Sequence, residues 1–150
     1  MAVNLRRLVL PALFLLSGCN LLGVGDEDDL SDHRRRWVRL RISDYSYDFL
    51  RACFCGGPVR PLRVLVRNNE VVSVTDLETG APPAFLPENW VGTIDDVFAE
   101  LQREIDREAD EIDLDFDDTF HFPARADIDR VRNAIDDELR LQLSNFQPLR

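Results

Sequence analysis

Alternation of apolar and charged side chains with a period of two is the feature that most limits the folds open to this chain. It occurs in three consecutive stretches near the C-terminus, residues 112–117, 124–129 and 138–143. Apolar side chains stand at every second position, with acidic, basic or amide side chains between them. Because successive side chains of a strand point to opposite faces, the pattern predicts three antiparallel strands with one buried and one solvated face.

Three earlier stretches also predict strands. Residues 45–50 alternate aromatic with mostly polar side chains, in a run that ends near Cys53. Residues 62–67 and 71–77 alternate around Asn68-Asn69, and asparagine tolerates the positive φ of a two-residue turn. These last two stretches therefore predict a hairpin.

Two other stretches have helical spacing. The clearer one carries a single apolar stripe, formed by Ile94, Val97, Phe98, Leu101 and Ile105. Thr93 and Asp96 form a variant of the capping box at its start. An earlier helix is predicted from Ser31, as its N-cap, to Ile42.

Together these patterns predict the α+β fold class. The expected architecture is an antiparallel sheet packed by two helices, in the order α-β-β-β-α-β-β-β. This order raises the hypothesis that the chain contains two copies of one α-β-β-β unit.

The first nineteen residues are organised like an export signal. Arg6 and Arg7 precede an apolar run over residues 8–16, and small residues follow it. Nine residues of helix rise only about 14 Å, which is too short to cross a bilayer core of about 30 Å. The segment Leu16-Ser17-Gly18-Cys19 resembles the lipobox of bacterial lipoproteins.

This resemblance implies that Cys19 is acylated and becomes the first residue of the mature chain. Two or more acyl chains of the palmitate type anchor a protein stably, whereas one is marginal. The predicted organisation is a signal peptide over 1–18, a lipid-anchored flexible tether over 19–29 and a single domain over 30–150. The domain is then extracytoplasmic and anchored to a bacterial cell membrane. An ordinary signal peptide with an incidental Cys19 is the alternative.

The composition is acidic and contains no lysine. Residues 19–150 hold 16 arginines and 28 acidic residues, which gives a net charge of about −12. Such a surface repels nucleic acid and anionic headgroups and argues against either as a direct partner. We interpret the run Arg34-Arg35-Arg36 as a solvated face. The predicted partners are the membrane, through the lipid anchor, and an unidentified envelope protein or small molecule.

Several segments occur in the order found in a known family. They are Trp37, Tyr45-Ser46-Tyr47, Cys53-x-Cys55, the 62–77 hairpin, residues 93–98, Phe116-Asp117, Phe122-Pro123, Ile128-Asp129 and residues 136–138. Together they resemble an uncharacterised bacterial family, the domain of unknown function 6174. The family commonly has a glycine-aromatic-proline step where this chain has His121-Phe122-Pro123. The resemblance implies an exported, often lipid-anchored domain and brings no known reaction.

Cys53 and Cys55 are the sharpest candidate site. With Cys19 acylated they are the two thiols left, in an oxidising compartment. Residues i and i+2 of an extended strand lie about 6.5–7 Å apart at Cα, so a bridge between them needs a local kink. A structural disulfide, a redox-active or metal-binding pair, and two free thiols all remain open. Addition of His121 would give only a weak zinc signature.

Carboxylates supply the remaining hypothesis, a hydrolase that gathers Asp113, Asp115 or Asp117 with His121 in a concave site. The same stretch does not match a calcium loop, because Asp118 and Ala124 stand where glycine and glutamate are required. Neither a nucleophile elbow nor a zinc-protease helix nor a glycine-rich phosphate loop occurs.

The sequence therefore predicts no catalytic residue, cofactor or metal. The leading hypothesis is a non-enzymatic, lipid-anchored envelope protein that binds a partner through its sheet or loops. A thiol-redox or metal-handling factor that uses Cys53 and Cys55 is the alternative, and the hydrolase comes third.

Overall fold

The computed structural model describes residues 24–150, which form two helices and six strands. In chain order the elements are α1 (Val24–Leu40), β1 (Tyr45–Cys53), β2 (Leu62–Arg67), β3 (Glu70–Asp76), α2 (Ile94–Asp106), β4 (Glu111–Phe116), β5 (Pro123–Asp129) and β6 (Leu139–Pro148). This order confirms the predicted α+β fold. The predicted signal peptide, Cys19 and the first part of the tether lie outside the described residues. None of the described helices is both long and apolar enough to cross a membrane.

The six strands form one open sheet in the order β3-β2-β1-β6-β5-β4, and every neighbouring pair is antiparallel. The longest strands, β1 and β6, pair at its centre. Both helices cover one face, here called the inner face. The outer face carries no helix, so its side chains are the ones presented by the sheet.

The two α-β-β-β units do not repeat one arrangement. Their first strands, β1 and β4, run in opposite directions within the sheet. If one unit is rotated about the sheet normal until its first strand is parallel to the first strand of the other unit, its second and third strands lie on the opposite side of that first strand, while the helices remain on the same face. The units therefore have opposite hands, and the topology does not support the hypothesis of a duplicated unit.

The core lies between the inner face and the helices. Its sheet side is built from alternate residues of the central strands, including Tyr47, Phe49 and Leu141, and its helix side from the α2 stripe with Leu30 and Trp37 of α1. Burying a side chain of this size is worth about 1.5–3 kcal/mol. The period-two and helical stripes of the sequence therefore meet in one continuous apolar layer.

The start of α2 is fixed by its cap and by β1. The Thr93 hydroxyl accepts from the Asp96 amide, and the Asp96 carboxylate accepts from the Thr93 amide at 2.8 Å, which confirms the capping box. The buried Tyr45 hydroxyl accepts from the Ile94 amide at 2.9 Å, while Tyr47 donates to the Gly92 carbonyl. Four otherwise open backbone groups at the helix start are satisfied in this way.

Helix α1 begins at Val24, so the predicted start at Ser31 is wrong, and residues 24–29 belong to a helix instead of a flexible tether. Ser31 does not cap the helix, because its hydroxyl donates to the Asp28 carbonyl one turn earlier. The acidic residues from Glu27 to Asp29 fall near the helix N-terminus, where negative charge is favoured by the helix dipole. These negative charges therefore favour a helix that starts earlier than the predicted N-cap at Ser31.

Two tight turns adopt the left-handed backbone. Asn68 and Asn69 have φ of 50° and 60°, which confirms the predicted turn between β2 and β3. His121 has φ of 65° and its amide donates to the Asp117 carbonyl at 2.9 Å. The turn before Phe122 and Pro123 is therefore made by a histidine in the left-handed conformation.

The side chain of His33 joins α1 to the sheet. Its ring stacks on Phe116 with centroids 3.9 Å apart, and the ring of His121 lies edge-on at 5.5 Å. Burial lowers the pKa of His33 below its ordinary 6.5; Asp29 and Asp32 oppose this shift, and His121 and Arg36 reinforce it. The folded state therefore favours the neutral imidazole.

We expect acidification below pH 6.5 to destabilise the protein through His33. The unfolded chain takes up this proton first, so stability is present above pH 6.5 and falls as the pH drops towards the lowered pKa. The melting temperature, measured at steps between about pH 7.5 and 5.5, is expected to decrease. His33→Phe keeps a stacked ring and removes a buried nitrogen that has no partner. An unchanged slope in this variant would contradict the assignment.

Candidate functional site

The outer face of the sheet is built from rows of side chains that the strand register places side by side. One row runs Ala52, Arg140, Asp127, Asp113 across β1, β6, β5 and β4. The next row towards the end of the sheet contains Asp129 and Glu111. These charged residues are the solvated positions of the period-two pattern, so the register collects on one surface carboxylates that are far apart in sequence.

An open groove of about 690 Å³ lies at this end of the outer face. One wall is apolar and is formed by Ala52, Cys53, Phe54 and Val59. The other carries six carboxylates and two arginines, namely Glu111, Asp113, Asp127, Asp129, Asp136, Glu138, Arg125 and Arg140. We call this feature the acidic groove.

Asp127 lies at the centre of the charged wall and holds both arginines. It accepts from Arg125 at 2.5 Å and from Arg140. Burial by itself raises the pKa of Asp127, but the hydrogen bonds from Arg140 and Arg125 outweigh it and lower the pKa below its ordinary 3.8. Asp127 therefore remains a carboxylate, and the two arginines are engaged by it.

The remaining carboxylates of the acidic groove are left without a cation. Within residues 24–150, no arginine lies at ion-pair distance from Glu111, Asp113, Asp129, Asp136 or Glu138. Glu111 is directly opposite Asp129 in the register, and Asp113 is opposite Asp127. Like charges at opposed positions destabilise a strand pair. A positively charged ligand would relieve this repulsion.

An ion pair between a buried carboxylate and a partly exposed arginine positions the 130–138 loop, which brings Asp136 and Glu138 to the acidic groove. Arg130 donates to both carboxylate oxygens of Glu104 in α2, at 2.8 and 2.9 Å, and also to the Asp137 carbonyl. The Glu104 side chain is 3% exposed. The hydrogen bond from Arg130 lowers the pKa of Glu104 below its ordinary value, although burial opposes the shift.

The apolar wall is positioned by two contacts of the 54–59 loop. The sulfur atoms of Cys53 and Cys55 lie at disulfide-bonding distance, with Cα atoms 5.3 Å apart. Gly57 packs directly on the ring of Trp90, and the guanidinium of Arg51 lies over that ring, 5.4 Å from its centroid. Phe54, held between the two cysteines, is 80% exposed beside the groove.

The kink that a bridge between the two cysteines requires is therefore present. Strand β1 ends at Cys53, and the Cα separation is shorter than the extended-strand value because the chain bends over residues 54–57. His121 does not join these cysteines, since Cys53 pairs with Leu139 at one end of the sheet and His121 precedes Pro123 at the other. Within the described part of the chain, no three metal-ligating side chains are grouped. The redox role of the pair stays a prediction.

The residues of the hydrolase hypothesis are not brought together. Asp113 and Asp115 lie exposed on the outer face, whereas His121 lies beside His33 of helix α1. Asp117 instead accepts from the Thr119 and Phe120 amides and so stabilises its own turn. The lowered pKa of Asp127 is also opposite in direction to the one that a general acid near neutral pH requires.

Sequence reasoning missed the acidic groove because strand order had not been predicted. It identified the alternating acids of β4 and β5 but not that Asp129 stands opposite Glu111 beside the cysteine loop. Two signals were present in the sequence. One is an aromatic residue, Phe54, between two cysteines. The other is the spacing of two residues that the acids share in β4 and β5.

The family model described as Family of unknown function (DUF6174) matches residues 29–148. The chain belongs to this family. No curated protein and no solved structure shows significant similarity to it. In this DUF6174 domain the matched residues include all six strands, α2 and most of α1, so the whole acidic groove lies within the family domain.

Proposed function

We propose that this protein is a lipid-anchored, non-enzymatic binding domain of the bacterial cell envelope whose acidic groove holds a positively charged segment of a partner. The single observation that carries the proposal is the set of five groove carboxylates without a cation. They line a concave surface that the fold keeps open.

The acidic groove also offers apolar contact. The exposed fractions of Phe54 and Val59 are 80% and 62%, and both line the same groove as the carboxylates. Aromatic side chains at binding surfaces contribute large contact area, while charges at the rim give specificity and faster association. The fitting partner is thus a chain segment that combines basic and apolar side chains.

The surroundings of Asp127 support binding over catalysis. Its pKa is lowered and its oxygens are occupied by Arg125 and Arg140, so it holds the charged wall in place instead of exchanging protons near neutral pH. The arginine pair orders the wall, and the carboxylates around it remain available to a ligand.

The groove is tested with a labelled peptide that alternates lysine and leucine. We expect the Glu111→Gln/Asp129→Asn variant to bind it about three- to tenfold more weakly than the wild type, because two exposed ion pairs are each worth up to about 1 kcal/mol. Fluorescence anisotropy at low salt measures the affinity.

The matched control is Glu70→Gln/Glu78→Gln, which removes the same charge from exposed positions on the other half of the sheet. Its affinity is expected to stay within about twofold of the wild type. Equal weakening in both variants would mean that only overall charge attracts the peptide, and the acidic groove would then not be its site.

The lipid anchor is tested by metabolic labelling with a palmitate analogue. We expect label on the wild-type protein in the membrane fraction and none on Cys19→Ala, because the diacylglyceryl group is attached to that sulfur as a thioether. Cys53→Ala serves as the control and should keep its label. An unlabelled wild type would refute the anchor and leave the acidic groove untouched.

A further inference from the structure

Basic charge is concentrated in one part of α1. Residues 31–41, in α1 and just after it, contain five arginines and one aspartate, whereas residues 26–29 at the start of the helix are all acidic. The net charge of the whole chain hides this concentration of basic side chains. Electrostatic attraction between exposed charges acts over about a Debye length. The charge of the surface that faces a partner therefore matters more than the net charge of the whole chain.

Most of α1 is not used for packing. Leu30 and Trp37 are buried against the sheet, while Arg34, Arg35 and Arg39 are exposed. These three arginines line a shallow cleft of about 450 Å³ together with Leu30, Val38 and Gln102. Val38 is 57% exposed. A surface of guanidinium groups around an exposed apolar residue suits the boundary between headgroups and acyl chains.

Two of the three arginines of the cleft have no ion-pair partner among the described residues. Within the described residues, Asp32 pairs with Arg35 and Arg36, and no carboxylate lies at ion-pair distance from Arg34 or Arg39. Guanidinium groups bind phosphate in a bidentate manner and are more weakly hydrated than ammonium groups.

We propose that the arginine face of α1, formed by Arg34, Arg35, Val38 and Arg39, docks on the anionic headgroups of the membrane that anchors the protein. The inference rests on the proposed acylation of Cys19. Four residues lie between Cys19 and Val24, so their Cα atoms are at most about 18 Å apart. This distance keeps α1 beside the headgroups.

Docking through α1 also orients the acidic groove. Helix α1 ends just before Tyr45, at the opposite end of β1 from Cys53, and it lies on the inner face. The acidic groove is on the outer face at the Cys53 end. An anionic bilayer would repel the groove and attract the arginine face of α1, so both interactions turn the groove away from the membrane.

The test measures arginine modification by a neutral dicarbonyl reagent, read by mass spectrometry. The purified protein is incorporated into phosphatidylcholine vesicles or into vesicles with about one-third phosphatidylglycerol. We expect Arg34, Arg35 and Arg39 to react at least about threefold more slowly in the anionic vesicles, and the difference to vanish near 1 M salt, where the Debye length is about 3 Å. Arg132, at the groove end of the sheet, is the internal control and should react equally in both.

Two variants sharpen the result. Arg34→Gln/Arg39→Gln should remove the protection of Arg35, whereas Arg103→Gln/Arg132→Gln, with the same loss of charge from exposed positions, should keep it. Equal reaction of the α1 arginines in both vesicles would overturn the proposal and leave an acidic protein as the class of partner for this face. If mass spectrometry shows that the wild-type chain carries no acyl groups and its α1 arginines are still protected, the docking face is retained and the anchor is refuted. The two failures are therefore distinct.

Discussion

Arg130→Met is expected to lower the free energy of unfolding by about 2–3 kcal/mol. The substitution leaves the Glu104 carboxylate, 3% exposed, without its two hydrogen bonds from the guanidinium. Breaking a buried pair by removing one partner costs about 3–5 kcal/mol. We expect a smaller cost because Arg130 is 37% exposed and Arg107 still lies 3.6 Å from Glu104. Urea denaturation of the variant and the wild type gives the difference.

The control for this prediction is the double variant Glu104→Leu/Arg130→Met. It removes the stranded charge, so its stability should return to within about 1 kcal/mol of the wild type. The difference in the free energy of unfolding between the wild type and Arg130→Met should also decrease in acid. The lowered pKa of Glu104 means that the pair stabilises the fold above pH 4.5, and this contribution is lost as the pH falls through the folded-state value. A constant gap would contradict the role assigned to Glu104.

Gly57→Ala is expected to destabilise the protein by about 2 kcal/mol and to weaken peptide binding at the acidic groove. A Cβ at this position would overlap the six-membered ring of Trp90, which is 3% exposed and cannot move freely. Overpacking a filled site typically costs about 1–3 kcal/mol. Displacing the loop also displaces Phe54, the exposed part of the apolar wall. Thermal unfolding and peptide anisotropy measure the two effects.

Gly56→Ala is the matched control on the neighbouring residue. A Cβ there meets nothing within 4 Å, and only the positive φ of 78° disfavours alanine, by about 1 kcal/mol. In a Trp90→Ala background, Gly57→Ala should cost much less than in the wild type, because the overlapping ring is gone. If Gly57→Ala is as costly without Trp90 as with it, the steric explanation is wrong.

Local patterns were enough to predict the elements whose side chains obey a single period. The α2 stripe and its Thr93 cap were predicted together, and the asparagine turn between β2 and β3 follows from two residues that tolerate positive φ. In each case the determining residues lie within one turn or one strand of each other. The kink that a bridge at Cys53 requires is also a local feature, since the requirement follows from the spacing of two cysteines alone.

The acidic groove depends on pairings that no local pattern contains. Cys53 meets Leu139, and Glu111 meets Asp129, across long separations in the chain. The Gly57–Trp90 contact and the Arg130–Glu104 pair likewise join loops to distant elements. The start of α1 was missed for a different reason. The predicted flexible tether included the acidic residues 26–29, and the same charges suit a helix N-terminus.

The open edges of the sheet have a consequence for self-association at high local concentration. Strands β3 and β4 each leave one side unpaired, and an unpaired strand can act as a template for self-association between copies. Along β4, the exposed Glu111, Asp113 and Asp115 occur at every second residue. A second copy approaching this edge meets identical negative charge, so these acids act as gatekeepers that keep neighbouring molecules apart at high local concentration.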